Sequence, residues 1–391
     1  MDYTKEKHGM KYRNIFLIIS SLYFQSYALS SSFSVYWNDA KIEVTKDYAD
    51  VFLQKNKPTF IGLPSSKNYD FINNNYYFDL TIEDFSSIKG IELRFSSNKG
   101  FENYKYYQVP IFTDQDFNII RSKRKTSFGI SLANLRQKGK LPKGVDLNTA
   151  TLYINSSKKN KVRISTLKEK KKKQERAILS ITFDDGYIDN SLAAEIMRKH
   201  NLTATAYIIP SKINKKGYLN QDELKLLKNG HNWDIQHHHG TPFTELEKNN
   251  LNKDISNLDT YFKKNKLNRK SSTHLAYPLG KWNEKVYSIV KKRYATARIA
   301  GGGIETLPPA DLHLLKTYNV LHSTTPTQLR EVIQRSKKAN QWLILMFHYI
   351  NESPKNDLEY STENFKELMK IIKEEKISVQ TINQVWKRHL K

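Results

Sequence analysis

The sequence predicts two domains in series, an all-β sandwich over residues 31–166 and an α/β barrel of about seven parallel strands over residues 177–391. Three observations carry this prediction. Up to Thr166, short runs alternate apolar with polar residues, the period of half-buried strands. Beyond Ala177, strand-like and helix-like segments alternate, and repeated βα units build a parallel sheet. Between them lies Leu167-Lys-Glu-Lys-Lys-Lys-Lys-Gln-Glu-Arg176, a charge run without apolar period that reads as a solvated linker over 167–176. The 391 residues suit two domains at roughly 150 residues each.

Taken in order, residues 1–30 read as an export signal. Lys11 and Arg13 precede the apolar run Ile15 to Phe24, and Ala28-Leu29-Ser30 has the small-x-small pattern of a cleavage site. The run is short for a membrane span, which needs about 20 apolar residues. An uncleaved anchor is the alternative; no second segment of spanning length follows, so no integral span is expected in the mature chain. The expected location is periplasmic, secreted or envelope-associated.

Strands are predicted at 33–37, 75–81, 91–95, 107–112, 128–132, 151–154 and 162–165, separated by Gly, Asn and Ser clusters. The many tyrosines and asparagines of this half suit a glycan-binding face, and equally suit ordinary strands. In the second half strands are predicted at 178–184, 203–209, 233–236, 273–277, 295–299, 343–347 and 377–381, with amphipathic helices between them. The active site of such a barrel lies at the C-terminal ends of its strands.

Composition narrows the chemistry. Lys and Arg outnumber Asp and Glu 64 to 39, a net charge of +25 that favours an anionic envelope surface as surroundings. Nucleic acid is not an expected partner, since the chain is read as exported and carries no nucleic-acid motif. Cysteine is absent, which excludes thiolate nucleophiles, Cys-ligated zinc and disulfides. There is no Gly-x-Ser-x-Gly elbow, P-loop or dinucleotide fingerprint. Gly301-Gly-Gly303 reads as a turn after a strand.

The predicted strand ends carry a coherent set of groups. The first gives Asp184 and Asp185, the third His237, His238 and His239, the fourth Tyr277-Pro278-Leu279-Gly280, and a late one His348. One carboxylate with two imidazoles suits zinc or a similar divalent ion with an open position for water, and a second carboxylate can then accept the water's proton.

The ordered segments Thr182-Phe-Asp-Asp-Gly186, the histidine cluster, Ala276-Tyr-Pro-Leu-Gly-Lys-Trp-Asn283 and Leu343-Ile-Leu-Met-Phe-His348 resemble the NodB-type polysaccharide deacetylase domain, carbohydrate esterase family 4, over roughly residues 178–390. The resemblance implies a distorted (β/α) barrel and metal-dependent removal of acetyl groups from an acetylated polysaccharide. It implies Asp184 as general base, Asp185 as metal ligand and His348 as general acid, with a backbone N–H near Tyr277 and Pro278 holding the oxyanion. Two departures stand out. The family's metal histidines are four residues apart, a spacing no pair here meets; His238 then matches the first ligand, or His237 and His239 form a His-x-His chelate on one strand face. The arginine that precedes Tyr277-Pro278 in the family is also missing.

Overall fold

The computed structural model describes residues 32–36, 40–64, 68–97, 102–267 and 273–391. The expected export segment lies outside the described residues. The N-terminal half consists of two antiparallel sheets. One runs in the order Ser34–Tyr36, Thr59–Gly62, Thr149–Ser156, Ile88–Ser96, Tyr104–Gln108, Arg136–Lys138. The other runs Lys168–Lys171, Asn74–Ile82, Asn160–Ser165, Tyr48–Leu53, Lys41–Val44, with Thr126–Ile130 also on Asn74–Ile82. Alternate residues of both sheets, such as Phe78, Leu80 and Ile82 from one and Ile91, Leu93 and Phe95 from the other, enter one core. Burying such side chains stabilises a fold by about 1.5–3 kcal/mol each.

The charge run departs from its expected role. Lys168–Lys171 is an exposed strand paired antiparallel with Asn74–Tyr77, so the sandwich keeps the first part of the run and only the residues after it connect the domains. An edge strand needs main-chain partners on one side and no apolar face, and lysines there block further pairing.

The C-terminal half is a closed barrel of seven parallel strands: β1 (Ile178–Phe183), β2 (Thr205–Ile208), β3 (Asp234–His237), β4 (His274–Ala276), β5 (Thr296–Gly302), β6 (Leu315–Asn319) and β7 (Trp342–Phe347). β1 closes it by pairing with β7 along its whole length and with β2 at Thr182 and Phe183. The count of seven holds, but its membership differs from expectation. β6 is a stave that the apolar pattern misses, because Lys316 sits buried in it against Glu305, 3.4 Å away. The predicted strand at 377–381 shrinks to Ser378–Val379, which pairs with the start of β1 outside the ring of seven. Gly301 and Gly302 belong to β5 rather than to a turn, both at positive φ, where the register with β6 shifts.

Helices α1 (Asn190–Arg198), α2 (Gln221–Asn229), α3 (Lys248–Lys264), α4 (Glu284–Arg293) and α5 (Pro326–Ala339) lie between the staves, and α6 (Thr362–Glu375) follows β7. Their starts are written in the sequence. Asn220 with Glu223 and Thr325 with Gln328 form reciprocal capping boxes, and Pro326 occupies a first-turn position. Their buried faces, for example Leu329, Val332 and Ile333 on α5, join the staves in the main core. Among the described residues no helix is long and apolar enough to cross a membrane.

The halves meet directly. Gln341 Nε2 donates to Asn75 Oδ1 at 2.9 Å, and Tyr77 Oη donates to the Pro308 carbonyl at 2.6 Å.

Candidate active site

The C-terminal mouth of the barrel gathers groups from five staves, β1, β3, β4, β5 and β7. β1 and β7 run in register through Phe183 and Phe347, and the Asp184 N–H donates to the Phe347 carbonyl at 2.9 Å, so Asp184 and His348 leave neighbouring strand ends. Asp185 takes φ 68° and Gly186 φ 82°. This left-handed step turns the two adjacent carboxylates apart. A Cβ at Gly186 would meet Ile208 Cγ2 at 3.2 Å, so the turn requires glycine both for its φ and for room.

Asp184 is buried and accepts a short hydrogen bond from the Arg298 guanidinium. Arg298 is itself buried on β5, with its guanidinium 4.5 Å over the Tyr207 ring. It stands beside Ala276 in the β4–β5 register, next to the position whose arginine the sequence lacks. Sequence reading passed over it, although its signal was present: a charged residue inside the otherwise apolar run Thr296-Ala-Arg-Ile299.

Of the three histidines only His238 reaches the carboxylates. Its Nδ1–H donates to the Ala276 carbonyl at 2.9 Å, which aims Nε2 at Asp185 Oδ1, 3.2 Å away. Burial lowers the His238 pKa, but the hydrogen bond it donates to Asp185 and the charges of both aspartates outweigh it and raise the net value. For Asp185 burial acts upward, and the bond to His238 with the charges of His238 and His348 brings the net value down. The two therefore hold each other as an ion pair. His237 faces outward into the packing of α3, with Nδ1 3.1 Å from Tyr294 Oη and its ring 4.1 Å from that of Phe262. His239 turns to the Thr241 carbonyl at 2.9 Å and stacks near Phe243. The His-x-His chelate is thus not formed. β3 ends at His237, so the two-residue period that would align His237 with His239 stops there.

The donor set can be tested against a divalent ion. A tetrahedral zinc site with bonds of about 2.0 Å spaces its ligand atoms about 3.3 Å apart, and the Asp185–His238 separation of 3.2 Å fits one such edge. The third ligand is missing: the position four residues beyond His238 is Pro242, and among the described residues no group of three His, Cys, Asp or Glu is arranged around a metal. Asp185 and His238 therefore supply two ligands of a site expected to have three.

The oxyanion assignment also moves. Tyr277 is buried and its N–H donates to the Arg298 carbonyl at 3.0 Å, and Pro278, also buried, has no N–H. The Gly280 and Lys281 amides close the turn onto the Tyr277 and Pro278 carbonyls. Leu279, at φ 53° with its side chain exposed, carries the one amide of this turn without a hydrogen bond among the described contacts. His348 completes the set with a buried Nδ1 that has no hydrogen-bond partner among the described residues, while its carbonyl accepts from Asn190 Nδ2 at 3.2 Å. Tyr187 stacks on Tyr349 with centroids 3.7 Å apart, and burial raises its hydroxyl pKa while it bonds Asp185.

A buried Asp–Arg pair and an Asp–His pair sharing one mouth coincide with a family match: residues 171–297 fit the polysaccharide deacetylase model. Over this segment the C-terminal domain is similar to polysaccharide deacetylases. A putative polysaccharide deacetylase of Bacillus subtilis (strain 168) is 29% identical to it over 130 residues, which is 32% of this chain and 45% of that relative. The match thus spans less than half of the relative's length. Among solved structures, the same domain is similar to a family 4 acetyl xylan esterase from Clostridium thermocellum in complex with a cobalt ion, at 15% identity and TM-score 0.39, covering 54% of this chain and 90% of that one. A polysaccharide deacetylase from Bacillus cereus, at 14% identity and TM-score 0.37, covers 76% of this chain and 100% of that one.

Proposed function

We propose that this chain is an exported hydrolase that removes acetyl groups from N-acetylhexosamine units of an envelope or secreted glycan. The observation that carries the reading is the separation of the two adjacent aspartates, Asp184 held by Arg298 and Asp185 by His238, beside His348. Asp184, paired with the Arg298 guanidinium, accepts the proton of the attacking water. The water oxygen bonds to the acetyl carbon, and the Leu279 amide stabilises the oxyanion that develops there, as such donors do by roughly 2.7–4 kcal/mol. As the C–N bond breaks, His348 gives a proton to the departing amine, and acetate is left. A divalent ion, zinc by expectation, held by Asp185 and His238 would add Lewis acidity toward the acetyl carbonyl.

Acetate release by the full chain from N-acetylglucosamine oligomers, peptidoglycan and O-acetylated xylan tests this, with zinc or cobalt added. Release from at least one N-acetylated polymer is expected. No release from any of them would overturn the hydrolase reading, and release from xylan alone would make the protein an O-acetyl esterase. Pro242 at the missing ligand position favours a second reading, a glycan-binding protein without turnover, and retention on an insoluble acetylated polymer without acetate release would establish it.

Export rests on the apolar run at Ile15 to Phe24. Finding the protein in the spheroplast interior, with residues 1–30 uncleaved, would refute it.

A further inference from the structure

The turn that carries the Leu279 amide is held at one end by the barrel and at the other by the sandwich. At its start the Tyr277 N–H is bound to the Arg298 carbonyl of β5. Inside it, Leu279 and Gly280 both take positive φ, and a Cβ at Gly280 would lie 2.5 Å from Ala300 Cβ, so the turn is pressed against the barrel wall. Its far end is Trp282, fully buried, and the amide, indole N–H and carbonyl of Trp282 all bond to the sandwich segment 114–124.

Arg121 is the centre of that grip. Its guanidinium lies 4.3 Å from the Trp282 ring and donates to the Trp282 carbonyl through Nη2. The same guanidinium ties down its own segment, with Nη2 to the Asp116 carbonyl at 3.0 Å and Nη1 to the Asn118 carbonyl at 2.7 Å. Trp282 Nε1 in turn donates to the Asn118 carbonyl at 3.1 Å, and Lys281 pairs with Asp114 at 2.9 Å. Arg124 covers the indole at 4.9 Å while pairing with Glu284 at 2.6 Å. A planar guanidinium that stacks and donates in several directions fixes orientation as well as position.

We propose that Arg121 is a positioning residue for the deacetylase-type site, acting through Trp282 to hold the Leu279 amide where the developing oxyanion forms. The sandwich is then a working part of the catalytic loop rather than only an appended module. This rests on the function proposed above. A donor displaced by about 1 Å costs on the order of 100-fold in rate without weakening ground-state binding equally.

The test uses the full chain with Arg121→Ala and Arg121→Lys. For Arg121→Ala, kcat is expected to fall tenfold or more with KM within about twofold of wild type, an unchanged melting midpoint, and amides 280–282 exchanging with solvent at least tenfold faster. Arg121→Lys restores the charge and one donor, and is expected to recover part of kcat and of the exchange protection. Unchanged exchange at 280–282 in Arg121→Ala overturns the proposal, as does a lowered melting midpoint with kcat intact, which is the mark of a purely structural contact. If wild-type protein releases no acetate, the function reading fails separately, and the exchange measurement alone decides whether Arg121 holds the turn.

Discussion

Arg298 shows how much one buried charge governs at the residue scale. It neutralises Asp184, lies over Tyr207 and lends its carbonyl to the Tyr277 amide. Arg298→Met keeps the volume and strands a buried carboxylate without its cation, a change that destabilises by about 3–5 kcal/mol; urea unfolding at pH 7 should report a loss of that size. Asp184→Asn keeps the shape but removes the proton acceptor, so acetate release should fall at least about 100-fold with zinc or cobalt affinity unchanged. Pro242→His offers the imidazole that the site lacks, and should tighten cobalt binding by at least about tenfold, read from the visible absorption of the bound ion. The pair of aspartates was legible from the sequence because an apolar strand run stops there in two acids and a glycine. Arg298 was not, since nothing local shows that a lone charge in a strand has a partner 114 positions away. The three histidines were legible as a cluster but not as individuals: their directions depend on where β3 stops, and only His238 turns inward.

At the scale of elements, the staves with strong apolar period were readable to within a few residues, as Ile178–Phe183 and Trp342–Phe347 show. β6 was hidden because its buried Lys316 answers Glu305, a long-range compensation that breaks the apolar run. Lys168–Lys171 was hidden because main-chain pairing with Asn74–Tyr77 leaves no imprint on side-chain chemistry. The turn after β4 is the element most sensitive to a small change. Gly280→Ala must place a methyl group against Ala300 at a φ of 72°, and the strain should lower stability by about 1–3 kcal/mol with a loss of turnover larger than that of a surface substitution. Thermal melting alongside acetate release separates the two effects.

Across the whole molecule, the domains share buried polar contacts, so they should melt together rather than in two steps. Their joint stability carries a pH signature. His274 is fully buried at the start of β4, within 2.9 Å of Thr296 Oγ1, and burial pushes its pKa down to about 4 from 6.5. The unfolded chain takes up this proton below pH 6.5 while the folded protein resists until about pH 4. Stability is therefore present above pH 6.5 and lost as pH falls across that window, by up to about 3 kcal/mol. His274→Gln should flatten the melting midpoint between pH 7 and pH 4; an unchanged slope would remove His274 as its source. The net charge of +25 adds a second dependence, since retention on anionic glycan should weaken as salt rises.

The short strand Ser378–Val379 has one more effect, on the order of events during synthesis. It pairs with Ile178 and Leu179, at the lower end of the same β1 edge whose upper end meets β2. The first stave to leave the ribosome thus waits 200 positions for the segment that covers its lower half. β1 is buried along its whole length in the finished protein, so a nascent chain short of residue 379 exposes unpaired backbone beside apolar side chains, the kind of surface on which chaperones act and aggregation begins.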